Sequence, residues 1–195
     1  MREKTLCFIM AFLIFSWLGA PLTARADGGE AKTVRPGLEI EAEYLAPLDK
    51  DRMIDTISVN IMADDEDFNH GRLSYSRGVT VTRAWGSINR TGCEGEHEMV
   101  GIGPNFLLRY ELKQWERSRL CFDMSGGLII YNKRFMVDGD HYNFMWRIGP
   151  KYTYQINSQY YFNIAYKVMH VSNGQMTHNP SYNSDGFSMS VTKLW

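Results

Sequence analysis

The chain predicts an all-β fold, an eight-stranded antiparallel transmembrane β-barrel of the outer membrane, and three observations carry that prediction. Segments of about ten residues alternate apolar with polar side chains and are separated by Gly, Asp, Asn and Pro clusters. The amino terminus reads as a secretory leader. Beyond it no run of roughly 20 apolar residues could cross a membrane as a helix.

The leader comes first in the chain. Met1-Arg2-Glu3-Lys4-Thr5 supplies charge, 6–20 is largely apolar, and Ala24-Arg25-Ala26 forms an A-x-A site before Asp27. Cleavage is expected after Ala26, which makes 1–26 a signal peptide and 27–195 a single barrel domain. The first segment sets Leu38, Ile40 and Tyr44 against Glu39, Glu41 and Glu43, and the second lies near 54–62. The third, 72–85, keeps a weaker phase, because Arg77 and Arg83 share the face of Val79, Val81 and Trp85. A bulge or a rim position is expected there.

In 100–112 the outward set is Val100, Ile102, Pro104, Phe106, Leu108, Tyr110 and Leu112. In 119–130 it is Leu120, Phe122, Met124, Leu128 and Ile130, and in 142–154 it runs from Tyr142 and Phe144 through Trp146 to Tyr154. The seventh segment, 159–173, puts Tyr160, Phe162, Ile164, Tyr166 and Val168 on one face, and that face continues to His170 and Ser172. The eighth alternates Phe187, Met189, Val191 and Trp195 against Ser188, Ser190 and Thr192. A soluble β-sandwich or lipocalin would alternate too. The leader, the aromatic residues near segment ends and the terminal strand favour the membrane version.

Eight strands leave an interior just filled by side chains. Inward Glu39, Glu41 and Glu43 therefore require Arg109, Arg147, Lys151 or Lys167 as partners, and a plugged lumen is expected. The formal net charge of −1, with basic residues spread among acidic ones, gives no footprint for nucleic acid. Cys93 and Cys121 remain after the leader, too few for a zinc ribbon, and they fall near opposite rims, which disfavours a disulfide.

Counting strands from a periplasmic amino terminus brings the end of the seventh to the cell exterior. There His170 and Ser172, two residues apart, share a lipid-facing side with Cα atoms roughly 6.5 to 7 Å apart. A neutral imidazole is the usual base for a serine hydroxyl, and a third group should hold its tautomer. Asn183 and Asp185 on the eighth strand have the parity of Phe187, and either could reach the ring. Asn173, Gly174 or the backbone around them could donate to an oxyanion. His70, His97 and His141 lie at segment ends without ligand spacing, and His178 reads as a surface loop residue.

At these residues the chain resembles the lipid A 3-O-deacylase (PagL-like) family of outer-membrane barrels. The resemblance rests on His170-Val171-Ser172-Asn173-Gly174, the stretch from Asn179-Pro180 to Asn183, Val100-Gly101-Ile102-Gly103-Pro104, Tyr142-Asn143-Phe144 and the closing strand to Trp195. It implies hydrolysis of the ester-linked 3-hydroxyacyl chain of lipid A, with Ser172 as nucleophile, His170 as base and Asn173 as oxyanion donor. Where the family carries a Glu, this chain has Asn183, with Asp185 two residues on. The partners implied are lipid A within lipopolysaccharide and the outer membrane, with a homodimer left open and neither cofactor nor metal. The competing reading is a non-enzymatic small barrel, an adhesin or membrane stabiliser. A third, an acyltransferase with an apolar lumen, is at odds with the inward charges.

Overall fold

A computed structural model describes residues 37–68, 72–89, 95–134, 140–174 and 181–195. The leader 1–26, Cys93, His70, His178 and Asn179-Pro180 lie outside the described residues. Eight antiparallel strands close into one barrel in sequence order: β1 (Gly37–Pro47), β2 (Arg52–Phe68), β3 (Leu73–Ile88), β4 (Gly95–Gln114), β5 (Ser118–Tyr131), β6 (Tyr142–Gln155), β7 (Tyr160–Ser172) and β8 (Tyr182–Leu194). Each strand pairs with its neighbours in sequence, and β1 closes on β8 from Gly37↔Leu194 to Pro47↔Ser184. Closure removes sheet edges, so every strand's backbone can be satisfied in lipid.

Period-two alternation sorts the side chains as expected. Ile40, Ile57, Val59, Ile61, Val79, Val81, Ile102, Ile130, Met189 and Val191 stand exposed on the outer wall. Aromatic residues band both ends of this wall, with Tyr110, Trp115, Tyr152, Tyr154, Tyr160 and Trp195 toward one rim and Tyr44, Trp146, Tyr166 and Phe187 toward the other. An apolar belt between aromatic girdles is the surface that a bilayer solvates.

The two rims differ. At one rim lie the junctions β2–β3, β4–β5 and β6–β7 with the carboxy terminus, three to four residues of chain each, and at the other lie β1–β2, β3–β4, β5–β6 and β7–β8, four to ten residues each. Outer-membrane barrels keep short turns on the periplasmic side and longer loops outside. The rim where β7 ends and β8 begins is thus the exterior one.

Inside, charge and apolar side chains are segregated along the axis. Glu39, Glu41, Glu43 and Asp123 meet Arg109, Arg147, Lys151 and Lys167, so four carboxylates face four cations. Arg109 bridges Glu39 at 3.0 Å and Asp123 at 2.9 Å, and Arg147 reaches Glu43 at 2.7 Å. Lys151 is bonded to Glu39 and Lys167 to Glu41. Nearer the exterior rim, Leu45, Ile54, Ile88, Met99, Ile129, Tyr131, Met145, Met169, Val171 and Tyr182 pack as an apolar plug. A void among Glu39, Glu41, Asn60, Asn105 and Lys167 measures about 10 Å³, room for roughly one water. The lumen is filled, as the inward charges required.

Of the two readings offered for the third strand, the bulge is absent. No bulge interrupts β3: Arg77 and Arg83 both remain on the exposed outer face, and Arg83 pairs with Glu98 on β4 at 2.8 Å while lying 5.2 Å from the Trp85 ring centroid. A cross-strand partner makes the outward charge tolerable without a change of phase. Register irregularities fall instead between Asp64 and Glu66 of β2 and between Glu111 and Lys113 of β4. Cys121 is a buried free thiol.

Candidate active site

The site is assembled where β6, β7 and β8 reach the exterior rim. Along β7 the inward positions Asn163, Ala165, Lys167, Met169 and Val171 are buried, while Val168, His170 and Ser172 are half-exposed on the opposite face. The imidazole and the hydroxyl therefore share the outward phase, at the end of the exposed apolar stripe Phe162, Ile164 and Tyr166. Strand registration lines up Trp146, His170 and Asn183 across three strands, and Phe144 stands opposite Ser172.

His170 Nδ1 lies 2.8 Å from Asn183 Oδ1. The Trp146 ring lies beside the imidazole, with centroids 5.6 Å apart and planes inclined by 35°. The tilted indole and an amide oxygen thus lie against the ring, and with Nδ1 engaged by Asn183 the nitrogen left for proton transfer is Nε2. Among the described residues no hydrogen bond yet joins Ser172 Oγ to that ring, a separation common in hydrolases before substrate binds.

Of Asn183 and Asp185, the one in contact with the His170 ring is Asn183. Asn183 is the register partner of His170, whereas Asp185 sits opposite Val168, one outward step lower, and accepts a hydrogen bond from the Tyr166 hydroxyl. Two residues of strand displace a side chain by roughly 6.5 to 7 Å. The carboxylate is thereby occupied away from the ring. Asn173 is fully buried, unlike the half-exposed Ser172 before it. Gly174 adopts a left-handed φ of +70° against the Phe144 ring, a turn that glycine takes without steric cost.

One neighbour was not singled out in the sequence. The Asn183 amide donates from Nδ2 to Asp49 Oδ2 at 3.1 Å, so an acid from the β1–β2 turn stands directly behind the His170 partner. That turn is fastened to the start of β8: Leu48 N donates to Asn183 O at 3.0 Å, and the Arg52 guanidinium is bonded to Ser181. Within Leu48-Asp49-Lys50-Asp51, Asp49 reads as ordinary turn chemistry. Only the closure of strand one against strand eight distinguishes it. His141 is engaged elsewhere, with Nδ1 at 3.1 Å from Tyr131 O.

Comparison with known proteins agrees with this architecture. No curated protein matches the sequence. Among solved structures, one described as the crystal structure of the outer membrane enzyme PagL superposes with a TM-score of 0.56 at 14% identity, covering 80% of this chain and 99% of that one. At that identity the likeness speaks for the barrel fold. The family model for lipid A 3-O-deacylase (PagL) matches residues 67–192, which take in six of the eight strands from β3 onward and every candidate site residue on β7 and β8. The passive-barrel reading gives way to a hydrolase located in the outer membrane. This chain belongs to the lipid A 3-O-deacylase family.

Proposed function

We propose that the protein is a serine esterase that removes the ester-linked 3-hydroxyacyl chain from position 3 of lipid A in the outer leaflet. The observation that carries this reading is the shared outward phase of Ser172 and His170 at the exterior rim, with His170 Nδ1 bonded to Asn183. Acyl chains of a lipid substrate would lie along the apolar wall of β6 to β8, and the ester would meet the hydroxyl at the headgroup boundary. No chain need enter the filled lumen.

In this scheme Ser172 Oγ attacks the ester carbonyl while His170 Nε2 takes the hydroxyl proton. The imidazolium then returns that proton to the departing sugar oxygen as the tetrahedral intermediate collapses to an acyl-serine. Water, deprotonated by the same nitrogen, releases the 3-hydroxy fatty acid and restores the serine. Asn183 accepts from Nδ1–H throughout, which leaves Nε2 free as the base. With Asn173 wholly buried, donation to the oxyanion falls to the half-exposed backbone at Gly174. The resemblance implies Asn173 as the oxyanion donor, and its burial is what moves the proposed role to the neighbouring residue.

The test is mass spectrometry of lipid A from cells expressing the native chain or Ser172→Ala. Loss of the 3-linked hydroxyacyl chain is expected with the former only. Deacylation by Ser172→Ala at the native level would exclude the serine mechanism. The leader 1–26 is proposed to direct export and be removed after Ala26, which amino-terminal sequencing of the membrane-inserted protein would verify. Pairing of two copies in the membrane stands as a proposal for cross-linking to decide.

A further inference from the structure

We propose that Asp49 is a positioning residue for this reaction: through Asn183 it dictates which nitrogen of His170 carries the proton. The proposal rests on the serine–histidine reading above and extends it to a residue on the far side of the barrel's closure.

An amide is an ambiguous partner for an imidazole. Its oxygen accepts and its nitrogen donates, and the two ends are nearly the same shape. Asn183 turned one way holds the proton on Nδ1 and leaves Nε2 basic; turned the other way it donates to Nδ1 and drives the proton onto Nε2, where it blocks attack. A carboxylate in the same position could only accept. The chain has an amide there, so something else must set its direction.

Asp49 meets that need. Its carboxylate has no donor to offer, so the contact from Asn183 Nδ2 to Asp49 Oδ2 at 3.1 Å requires the amide nitrogen to face Asp49 and the oxygen to face His170. The relay is built into the fold. Asp49 is half-buried and its backbone pairs with that of Arg52, Leu48 N is bonded to Asn183 O at 3.0 Å, Asn89 N is bonded to Asp51 O at 3.0 Å, and the Arg52 side chain is bonded to Ser181. A turn held at these points presents its acid to one end of one amide. The chain thus divides between two residues what a single carboxylate would do, with Asn183 touching the ring and Asp49 fixing its polarity.

The test uses the full chain refolded in detergent micelles, with 15N-labelled histidine. Ring nitrogen shifts, assigned to His170 by their loss in His170→Gln, report the tautomer, and release of 3-hydroxy fatty acid from lipid A gives kcat and KM. The native protein is expected to show Nδ1–H. Asp49→Ala should shift His170 toward Nε2–H and lower kcat about tenfold or more, with KM within about twofold of native. Asn183→Asp introduced into Asp49→Ala should restore both the Nδ1–H signal and most of kcat, because a carboxylate needs no orienting partner. A structural role for the turn would give no such rescue.

An unchanged tautomer and kcat in Asp49→Ala would overturn the proposal, as would a double variant no better than the single one. Complete loss of activity in Ser172→Ala alongside an unaffected Asp49→Ala would discard the role of Asp49 alone. Full activity in Ser172→Ala would discard the serine reading, and the ring nitrogen shifts would still decide whether Asp49 sets the tautomer.

Discussion

Replacing Asn183 with Leu removes the 2.8 Å contact to His170 and the 3.1 Å contact to Asp49 while keeping the size of the side chain. In the ground state the lost bond to a neutral imidazole is worth about 0.5 to 1.5 kcal/mol, and in the transition state, when the ring is an imidazolium, about 1.5 to 3 kcal/mol. Only the difference, about 1 to 1.5 kcal/mol, raises the barrier, which corresponds to a fall in kcat of roughly five- to thirteenfold. Any population of the wrong tautomer adds to this. In the proposed scheme the acyl chains would lie along the wall below Asn183, so KM should stay within about twofold. The assay is the initial rate of 3-hydroxy fatty acid release in detergent micelles across a range of lipid A concentrations. A kcat within about twofold of native would refute the assignment of Asn183 as the group that holds His170.

Asp185→Asn keeps a partner for the Tyr166 hydroxyl, and the same assay should find kcat within about threefold of native; a loss larger than that of Asn183→Leu would reverse the two roles. In the lumen, Arg147→Met leaves Glu43 without its 2.7 Å partner and should cost about 3 to 5 kcal/mol, whereas pairing it with Glu43→Leu should recover most of the loss, as read from denaturant titrations of folding into lipid vesicles. Val59→Arg places a charge on the exposed outer wall of β2 and should cost about 2 kcal/mol or more in vesicles; no cost would argue that lipid does not cover that wall. Gly103→Ala would bring a Cβ to 1.7 Å from Leu128 O, so β4 and β5 must part, with a loss of about 1 to 3 kcal/mol in the same titration.

Much of the site could be read from the chain because side-chain phase in a strand is local. Alternation of Tyr160, Phe162, Ile164 and Tyr166 with Asn163 and Lys167 fixes where His170 and Ser172 point, whatever the strand's neighbours. The inward glutamates of β1 likewise announced a need for cations, and Arg109, Arg147, Lys151 and Lys167 answer it. Arg77 and Arg83 suggested a bulge because an outward arginine reads as a broken phase, yet β3 keeps its alternation and Glu98 on the adjoining strand partners Arg83.

The amino-acid sequence by itself determined the number of alternating segments, the face each residue occupies and the shared outward phase of His170 and Ser172, since these follow from a period of two along each strand. Register between strands is a different quantity. It is set by how all eight hydrogen-bonded ladders close together, and a slide of two residues preserves every face while exchanging every partner. Only the closed barrel decided that Asn183 and not Asp185 meets His170, and that Asp49, distant along the chain, stands behind it.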